Sequence, residues 1–493
     1  MANGGIIGTV NNPTSSTATG VWQQEEQYEA VRDGTWPSRA LFTTKSLRFN
    51  SGSSDYLSKT FSTTGNRQKF TLSMWIKRGI VPVGNQSGTE GMLFQAFQNS
   101  SNQDQIWLQS NGTINYVRNN ANAVTPSQVL RDSSAWYHLV FAGDTTQGSN
   151  ANRLKVYVNG TQAPIGQGDT IAQNSNFGAI NNAQSYTFGK RNSNDWYFDG
   201  SMSHIHMVDG TAYPASTFGS VDSVTGEWKI NTSPSVTYGN NGFFILKDGN
   251  SVTDQSGKNN NFSVGGGALT NTKDCPSNVF ATLNPLDNFY ANATFSYGNT
   301  QIVSPSGREA SSSSTLAMTK GKFYWETKFL SSNAPFVGIQ PIPSFNNTAS
   351  AAVLQLHGLG LLKTGKVETT NGSGGSTVLA QYATFTTNDI IGVALDLDAS
   401  QKKIYFYKNG SILGASGVNI TDPASTRDGH YMVAVGNISG SDTIAVNFGN
   451  GYFATTAITT NSGNGYAGAE GASKFAYQPR SGHSALSTKG LNQ

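Results

Sequence analysis

Cysteine is almost missing from this 493-residue chain: Cys275 stands alone. A single thiol excludes an intrachain disulfide and a cysteine-based metal cluster. Charge is scarce as well, with Asp, Glu, Lys and Arg making up 12% of the residues and a formal net charge of +3. No basic field is present to hold nucleic acid, and no acidic tail appears. Uncharged polar residues must cover the surface, so its binding and solubility are expected to depend little on salt. Nowhere do 18 apolar residues follow one another, and no membrane insertion is expected. The first residues, M-A-N-G-G-I-I-G-T-V-N-N-P, lack the basic and apolar parts of a secretory signal, which predicts synthesis in a cytosol without standard export. Glutamate is rare, at nine residues, three of them within 25–29. A glycoside hydrolase needs two carboxylates about 5 to 9.5 Å apart across a cleft. No E-x-D or E-x-x-x-E pair falls on an expected strand, and no enzyme activity is expected.

Glycine, in contrast, is abundant, at 55 residues, well above the usual ~7%. It punctuates short alternating runs. From Asp389 to Leu413 the chain reads D-I-I-G-V-A-L-D-L-D-A-S-Q-K-K-I-Y-F-Y-K-N-G-S-I-L, a strand meander closed by the Asn409-Gly410 hairpin signal. Trp136 to Phe141 followed by Leu154 to Gly160 repeats the scheme. The fold class expected is all-β: two tandem antiparallel β-sandwich domains preceded by a short N-terminal arm and helix. The boundaries are an arm and helix over 1–44, a sandwich over 45–250, a turn-rich linker over 251–278, a second sandwich over 279–455 and a polar tail over 456–493. The helix carries Trp22, Tyr28, Val31 and Trp36, and Gly34 and Pro37 stop it. So short a helix is not stable alone, and its apolar face needs a partner, either its own first domain or another subunit.

Few residues suggest chemistry. Asp396 and Asp398 share a face where strand gives way to turn, which reads as a solvated edge. His204 and His206 share a strand face, with Asp199 or Asp209 as the nearest further ligands, and read as a surface or satisfied core pair. Asp248, Asn250 and Asp254 have oxygens at spacings a Ca²⁺ loop uses, without the EF-hand pattern or its closing Glu, so they make a weak metal candidate and no cofactor is expected. The binding candidates are two loops in which aromatics stand among amides: Asn192, Asn194, Asp195, Trp196 and Tyr197, and Phe345, Asn346 and Asn347. A ring covers the apolar face of a sugar while amides bond its hydroxyls. Trp196 and Tyr197 read equally well as the start of a core strand. Phe70, Trp75, Trp136, Tyr157, Tyr324, Trp325 and Phe406 read as core.

Longer stretches carry a resemblance. L-R-F-N, F-T-L-S-M-W-I-K-R, W-Y-H-L-V-F, L-K-V-Y-V-N-G and F-D-G-S-M-S-H-I-H-M-V-D-G resemble the LamG/pentraxin-like branch of the concanavalin A-like jelly rolls. K-G-K-F-Y-W-E-T-K-F, F-V-G-I, D-I-I-G-V-A-L-D-L-D and I-Y-F-Y-K-N-G resemble a SPRY domain. The pairing, with G-V-W-Q-Q-E-E-Q-Y-E-A-V-R-D-G-T-W-P near the start and F-A-Y-Q-P-R-S-G-H-S-A-L-S-T-K-G-L at the end, resembles virion proteins of tailed bacteriophages. That resemblance implies a tail fibre or appendage protein that binds host-surface carbohydrate; the alternative is a capsid or tail decoration protein without a host ligand. It implies other virion proteins as partners through the N-terminal segment, a host glycan as ligand, location in the virion after synthesis in the host cytoplasm, and a rim Ca²⁺ in some relatives. Such proteins are often trimeric, but no heptads or β-helix repeats argue for a homotrimer here.

Overall fold

The computed structural model describes residues 43–79, 91–109, 111–167, 171–223, 226–247, 251–267, 269–290, 293–305, 310–341, 358–370, 375–459 and 465–492, with Thr14, Glu26, Glu29, Ala30, Asp33 and Thr35. The chain divides into two compact units, Leu41–Ser277 and Asn278–Gln493, the latter taking in Met1–Ala40. Both are antiparallel β-sandwiches. No helix among the described residues is long and apolar enough to cross a membrane.

In the Leu41–Ser277 unit one sheet runs Thr161–Gln162, Leu154–Val158, Tyr137–Asp144, Lys69–Arg78, Gly200–Asp209, Ser46–Phe49, Thr270–Thr272, with Phe243–Ile245 pairing on Gly200–Asp209. The facing sheet runs Ile165–Gln167, Ala121–Pro126, Ile114–Arg118, Asn102–Leu108, Gly91–Asn99, Ser185–Phe188, Tyr56–Thr60, Ser263–Gly265. Period-two alternation sorts the side chains. Along Lys69–Arg78, Phe70, Leu72, Met74 and Ile76 enter the core between the sheets, each contributing about 1.5–3 kcal/mol of burial. Thr71, Ser73, Trp75 and Lys77 take the opposite, outer face. There a further layer, residues 210–223 and 226–240 (the 210–240 layer) with the strand pair Gly219–Val221 and Trp228–Ile230, packs Phe218, Trp228 and Tyr238 over Val140 and Val208.

Two expectations change here. Trp75 is buried as expected, within this outer layer and stacked on His138. Tyr157 is half-buried on the outer face, because Leu154, Val156 and Val158 take the inward positions of its strand. Residues 251–277, expected as linker, add an edge strand to each sheet and insert Phe262 into the core.

In the second unit one sheet runs Leu283–Tyr290, Ala310–Met318, Tyr431–Asn437, Pro335–Gln340, Leu359–Leu362, Lys366–Thr370, Ser376–Gln381. The other runs Thr294–Ser296, Gln301–Val303, Thr443–Asn447, Lys322–Phe329, Ile390–Asp396, Lys403–Lys408, Ser411–Ile412. Phe323, Trp325 and Phe329 face the core, while Tyr324 and Glu326 face outward. The C-terminal segment, expected as a polar tail, covers that outward face. Ser484–Ala485 pairs in parallel with Phe323 and Tyr324, and Phe475 and Ala485 pack with Tyr324, Ala394 and Tyr405.

Of the expected N-terminal helix, Glu26, Glu29 and Ala30 are helical. Asp33 N–H donates to the Glu29 carbonyl at 2.9 Å and Thr35 N–H to that of Ala30 at 2.8 Å, which closes the helical turn. Glu29 pairs with Lys320 at 3.0 Å within the same unit. Trp22, Tyr28, Val31 and Trp36 lie outside the described residues.

Candidate functional site

The loop between Ser185–Phe188 and Gly200–Asp209 is held by its own side chains. Asn194 (φ 59°) and Trp196 (φ 53°) are left-handed, and Arg191 N–H donates to the Asp195 carbonyl at 3.0 Å. The Arg191 guanidinium donates from Nε to Asp195 Oδ1 at 2.8 Å and also bonds Oδ2. These bonds, with one from the Ser193 hydroxyl, hold the Asp195 carboxyl below its ordinary range. The guanidinium also lies 4.0 Å from the Trp196 ring centre, and Trp107 meets Trp196 edge-on at 5.3 Å. Asn192 N–H donates to Gln95 Oε1 at 2.6 Å, and Lys190 Nζ donates to Asn194 Oδ1 at 2.7 Å.

The loop therefore brings Asn192, Asn194, Asp195, Trp196 and Tyr197 together on a pre-organised turn. Asn192 and Asn194 are exposed, Trp196 and Tyr197 half-buried. Because Arg191 covers one face of Trp196, a sugar ring here meets an Arg–Trp pair rather than a bare indole. Phe345, Asn346 and Asn347 lie outside the described residues.

The other candidates hold structure. Asp254 Oδ1 accepts from Phe244 and Ser256 N–H at 2.8 and 2.9 Å. Its Oδ2 accepts from the Ser256 hydroxyl and Asn260 N–H, both at 2.8 Å. A carboxylate has about four acceptor positions, so Asp254 has none left for a cation and does not fit a Ca²⁺ ligand; Asp248 and Asn250 lie outside the described residues. Asp396 caps the turn, accepting from Asp398 and Ala399 N–H at 3.0 Å each. Asp398 accepts from Gly321 N–H at 3.0 Å.

His204 and His206 are both buried on the outer face, after a bulge that puts His204 at φ 47°. Asp209 is taken up by the N–H groups of Asn66 and Asn241. Among the described residues no three His, Cys, Asp or Glu are grouped to hold a metal. His206 Nδ1 meets the Tyr238 hydroxyl at 2.9 Å, and its ring stacks on Phe244 at 3.9 Å. Trp228 Nε1–H donates to His138 Nδ1 at 3.0 Å, so His138 Nε2 carries the proton and donates to the Ser73 hydroxyl at 2.8 Å. Burial pushes His138 and His204 down to about 3 and His206 well below its ordinary value. All three are neutral; His138 and His206 meet the layer, and His204 packs on Phe244.

Glu326, read from the sequence only as part of a motif, is the corresponding buried group of the second unit. Its Oε1 accepts from Tyr477 N–H at 2.8 Å and the Tyr324 hydroxyl at 3.3 Å. Its Oε2 accepts from Ala476 N–H at 2.9 Å and Asn447 Nδ2 at 3.1 Å. Burial pushes its carboxyl up to about 7 against these four donors.

Residues 51–216 match the family model Laminin_G_3, described as the concanavalin A-like lectin/glucanases superfamily. This stretch is similar to LamG domains. Among solved structures the chain is similar to a heptameric SAP-like pentraxin from Limulus polyphemus (15% identity, 47% of this chain and 96% of that one, TM-score 0.30). It is also similar to the SPRY domain of human HERC1 (15% identity, 33% and 96%, TM-score 0.26). A Bacteroides ovatus protein whose description proposes carbohydrate binding is a third (15% identity, 48% and 61%, TM-score 0.31). No curated protein sequence matches the chain.

The LamG-like domain holds one more surface that the sequence reading missed. A cleft of about 250 Å³ opens on the outer face of the first sheet, beside the 210–240 layer. Ala142, Lys155 and Tyr157 come from the sheet, Gln147 and Asn152 from the loop that joins its strands, Tyr213 and Pro214 from the layer. Alternation along L-K-V-Y-V is the signal that could have placed Lys155 and Tyr157 outside.

Proposed function

We propose that the chain is a carbohydrate-binding structural protein without catalytic activity and, more finely, a virion protein of a tailed bacteriophage that presents its sandwiches to host-surface glycan. The observation that carries the binding part is the Arg191–Tyr197 loop. Its exposed amides sit beside half-buried aromatics on a turn fixed before any ligand arrives, so little ordering entropy is lost on binding. The match of residues 51–216 to a lectin/glucanase family supports the ligand class. Binding rather than hydrolysis is supported by the use of the carboxylates: Asp209, Asp254, Asp396, Asp398 and Glu326 each accept backbone N–H groups.

The virion part rests on the resemblance of the N-terminal and C-terminal stretches, with other virion proteins as partners of the N-terminal segment. Multivalent display would make weak single sites effective. A glycan array probed with the full chain and with an Asn192→Ala/Asn194→Ala variant tests the binding part. Binding in the first and its loss in the second are expected; an array without hits ends it. Particle labelling with antibody against the loop tests the rest. Label on tail appendages is the expected result, whereas label over the head with a blank array leaves the decoration protein.

A further inference from the structure

The outer-face cleft of the LamG-like domain is built to the same standard as the loop, and it differs from the loop in charge. Its two walls are fixed independently. Arg153 holds the wall that carries Gln147 and Asn152: its guanidinium bonds the carbonyls of Gln147, Gly148 and Ile171 at 2.9, 2.9 and 2.8 Å and Asn150 Oδ1 at 3.0 Å. Thr71 holds the other wall, accepting from Tyr213 N–H at 2.7 Å and donating to the Thr211 carbonyl at 2.8 Å. Between them Ala142, Tyr157 and Tyr213 line the cleft. A volume of about 250 Å³ is below the range of drug-sized pockets, ~300 to 1,000 Å³.

Two charged groups line this space, and only Asp144 has an ion-pair partner among the described residues. Burial works against ionisation of Asp144, but bonds from Thr146, Gln147 and Lys69 hold its carboxyl below the ordinary value. Lys155 has no carboxylate within salt-bridge distance among the described residues, and the Asn152 amide likewise has no protein partner there. The cleft therefore presents two tyrosine rings, an amide, the Asp144 carboxylate already paired with Lys69, and the Lys155 cation.

We infer that this cleft binds a single sugar ring bearing an anionic substituent, a carboxylate or a sulfate, with Lys155 as the group that selects the charge. The tyrosines cover the apolar face of the ring, Asn152 bonds its hydroxyls, and the anion lies toward Lys155. The inference rests on the carbohydrate-binding reading but concerns a different surface from the Arg191–Tyr197 loop.

Isothermal titration of the full chain with glucuronate, glucose 6-sulfate and glucose, at low salt and at physiological salt, tests it. A cation and an anion about 4 Å apart gain ~1 kcal/mol or more near a surface, so at least one anionic ring is expected to bind about fivefold to tenfold tighter than glucose, with the margin shrinking as salt rises. Lys155→Gln, a half-exposed residue without an ion pair to lose, is expected to bring that ratio to about one while glucose binding and the melting temperature stay unchanged. Equal affinities for all three rings, or a ratio that Lys155→Gln leaves intact, overturn the inference. If anionic sugars bind but are lost in Asn192→Ala/Asn194→Ala rather than in Lys155→Gln, the cleft is refuted and the loop reading stands. If no sugar binds at all, both fall.

Discussion

In both sandwiches an Asn-Gly turn closes a hairpin next to the strand that leads into it, and the two turns are made the same way. Asn159 and Asn409 are left-handed, at φ 46° and 49°, and the glycines follow at 81° and 83°. Each asparagine donates its N–H to a carbonyl of the preceding strand and accepts that residue's N–H on Oδ1, with His138 in the first unit and Ile390 in the second. In both, an aromatic side chain from a covering segment fills the space where a Cβ would stand, Trp228 over Gly160 and Tyr477 over Gly410. The covers differ in what they hide. The 210–240 layer packs on two neutral histidines, His138 and His206, whereas Glu326 clasps the C-terminal segment at Ala476 and Tyr477. The same device, a second layer on the outer face of a sheet, thus leaves the layer histidines and Glu326 with opposite responses to pH.

The largest expected effect follows from that opposition. A histidine whose folded value is about 3 binds no proton between there and its ordinary 6.5, while the unfolded chain does, so stability is present above 6.5 and is lost as pH falls. Each such group gives a slope on the order of 1.4 kcal/mol per pH unit, and three act together. Glu326 behaves in reverse: its folded value near 7 against 4.5 means that stability is full below 4.5 and is lost as pH rises through 7. Hydrogen exchange of the full chain, corrected for the intrinsic rate, separates the two by segment. Residues 226–240 are expected to lose protection on acidification, and Ala476 and Tyr477, the backbone donors to Glu326, on going to mildly alkaline pH. His483, which burial pushes down, adds an acid-side loss only around its own position. Covers that move together would break the comparison. Asp104, whose carboxyl burial also pushes up, lies on the core face and holds the N–H groups of residues 178–180, so the segment readout keeps it apart.

Glu326→Ala comes next. It leaves two backbone N–H groups and a hydroxyl unpaired in a buried site and takes one of two bonds from the Asn447 amide, which keeps the Lys474 carbonyl, at a cost of about 3–5 kcal/mol. Denaturant unfolding should show that loss, with exchange rising first at Ala476 and Tyr477. A loss below about 1 kcal/mol would mean that Phe475 and Ala485 hold the segment without the clasp. Gly160→Ala and Gly410→Ala should each cost about 2–4 kcal/mol, combining a left-handed alanine with displacement of an aromatic ring. Near-equal values in the two hairpins are expected, since the turns are alike; a marked difference would show that one cover yields more readily than the other.

How much of this was legible depended on the length of the elements. Lys69–Arg78 and Ile390–Asp396 show their faces through period-two alternation, and Asn159-Gly160 and Asn409-Gly410 announce their turns, so both sandwiches could be read. Ser484–Ala485 and Thr270–Thr272 are too short to show a period, and their partners lie at Phe323 and Ser46, so the C-terminal cover and the strands of residues 251–277 could not. The loop from Asn192 to Tyr197 was legible as a loop because its residues are consecutive, but the Arg191–Asp195 bonds that fix it were not. The cleft was not, because it needs Ala142, Lys155 and Tyr213 from three separate stretches. Glu326 stayed hidden for the same reason: its donors lie at 324, 447, 476 and 477.

The smallest prediction sharpens the comparison at the two covering rings. Trp228 both fills the space at Gly160 and donates from Nε1 to His138, whereas the Tyr477 hydroxyl has no bonding partner among the described residues. Trp228→Phe keeps most of the ring but leaves His138 Nδ1 without its donor inside the layer, at an expected cost of about 1–2 kcal/mol. It also frees His138 to place its proton on either nitrogen, so its histidine NMR signal should change from one tautomer to a mixture. Tyr477→Phe removes nothing but an unpaired hydroxyl and should stay within about 0.5 kcal/mol of the parent. Equal costs for the two substitutions would mean that the rings act by packing alone and that the Trp228–His138 bond adds nothing to the layer.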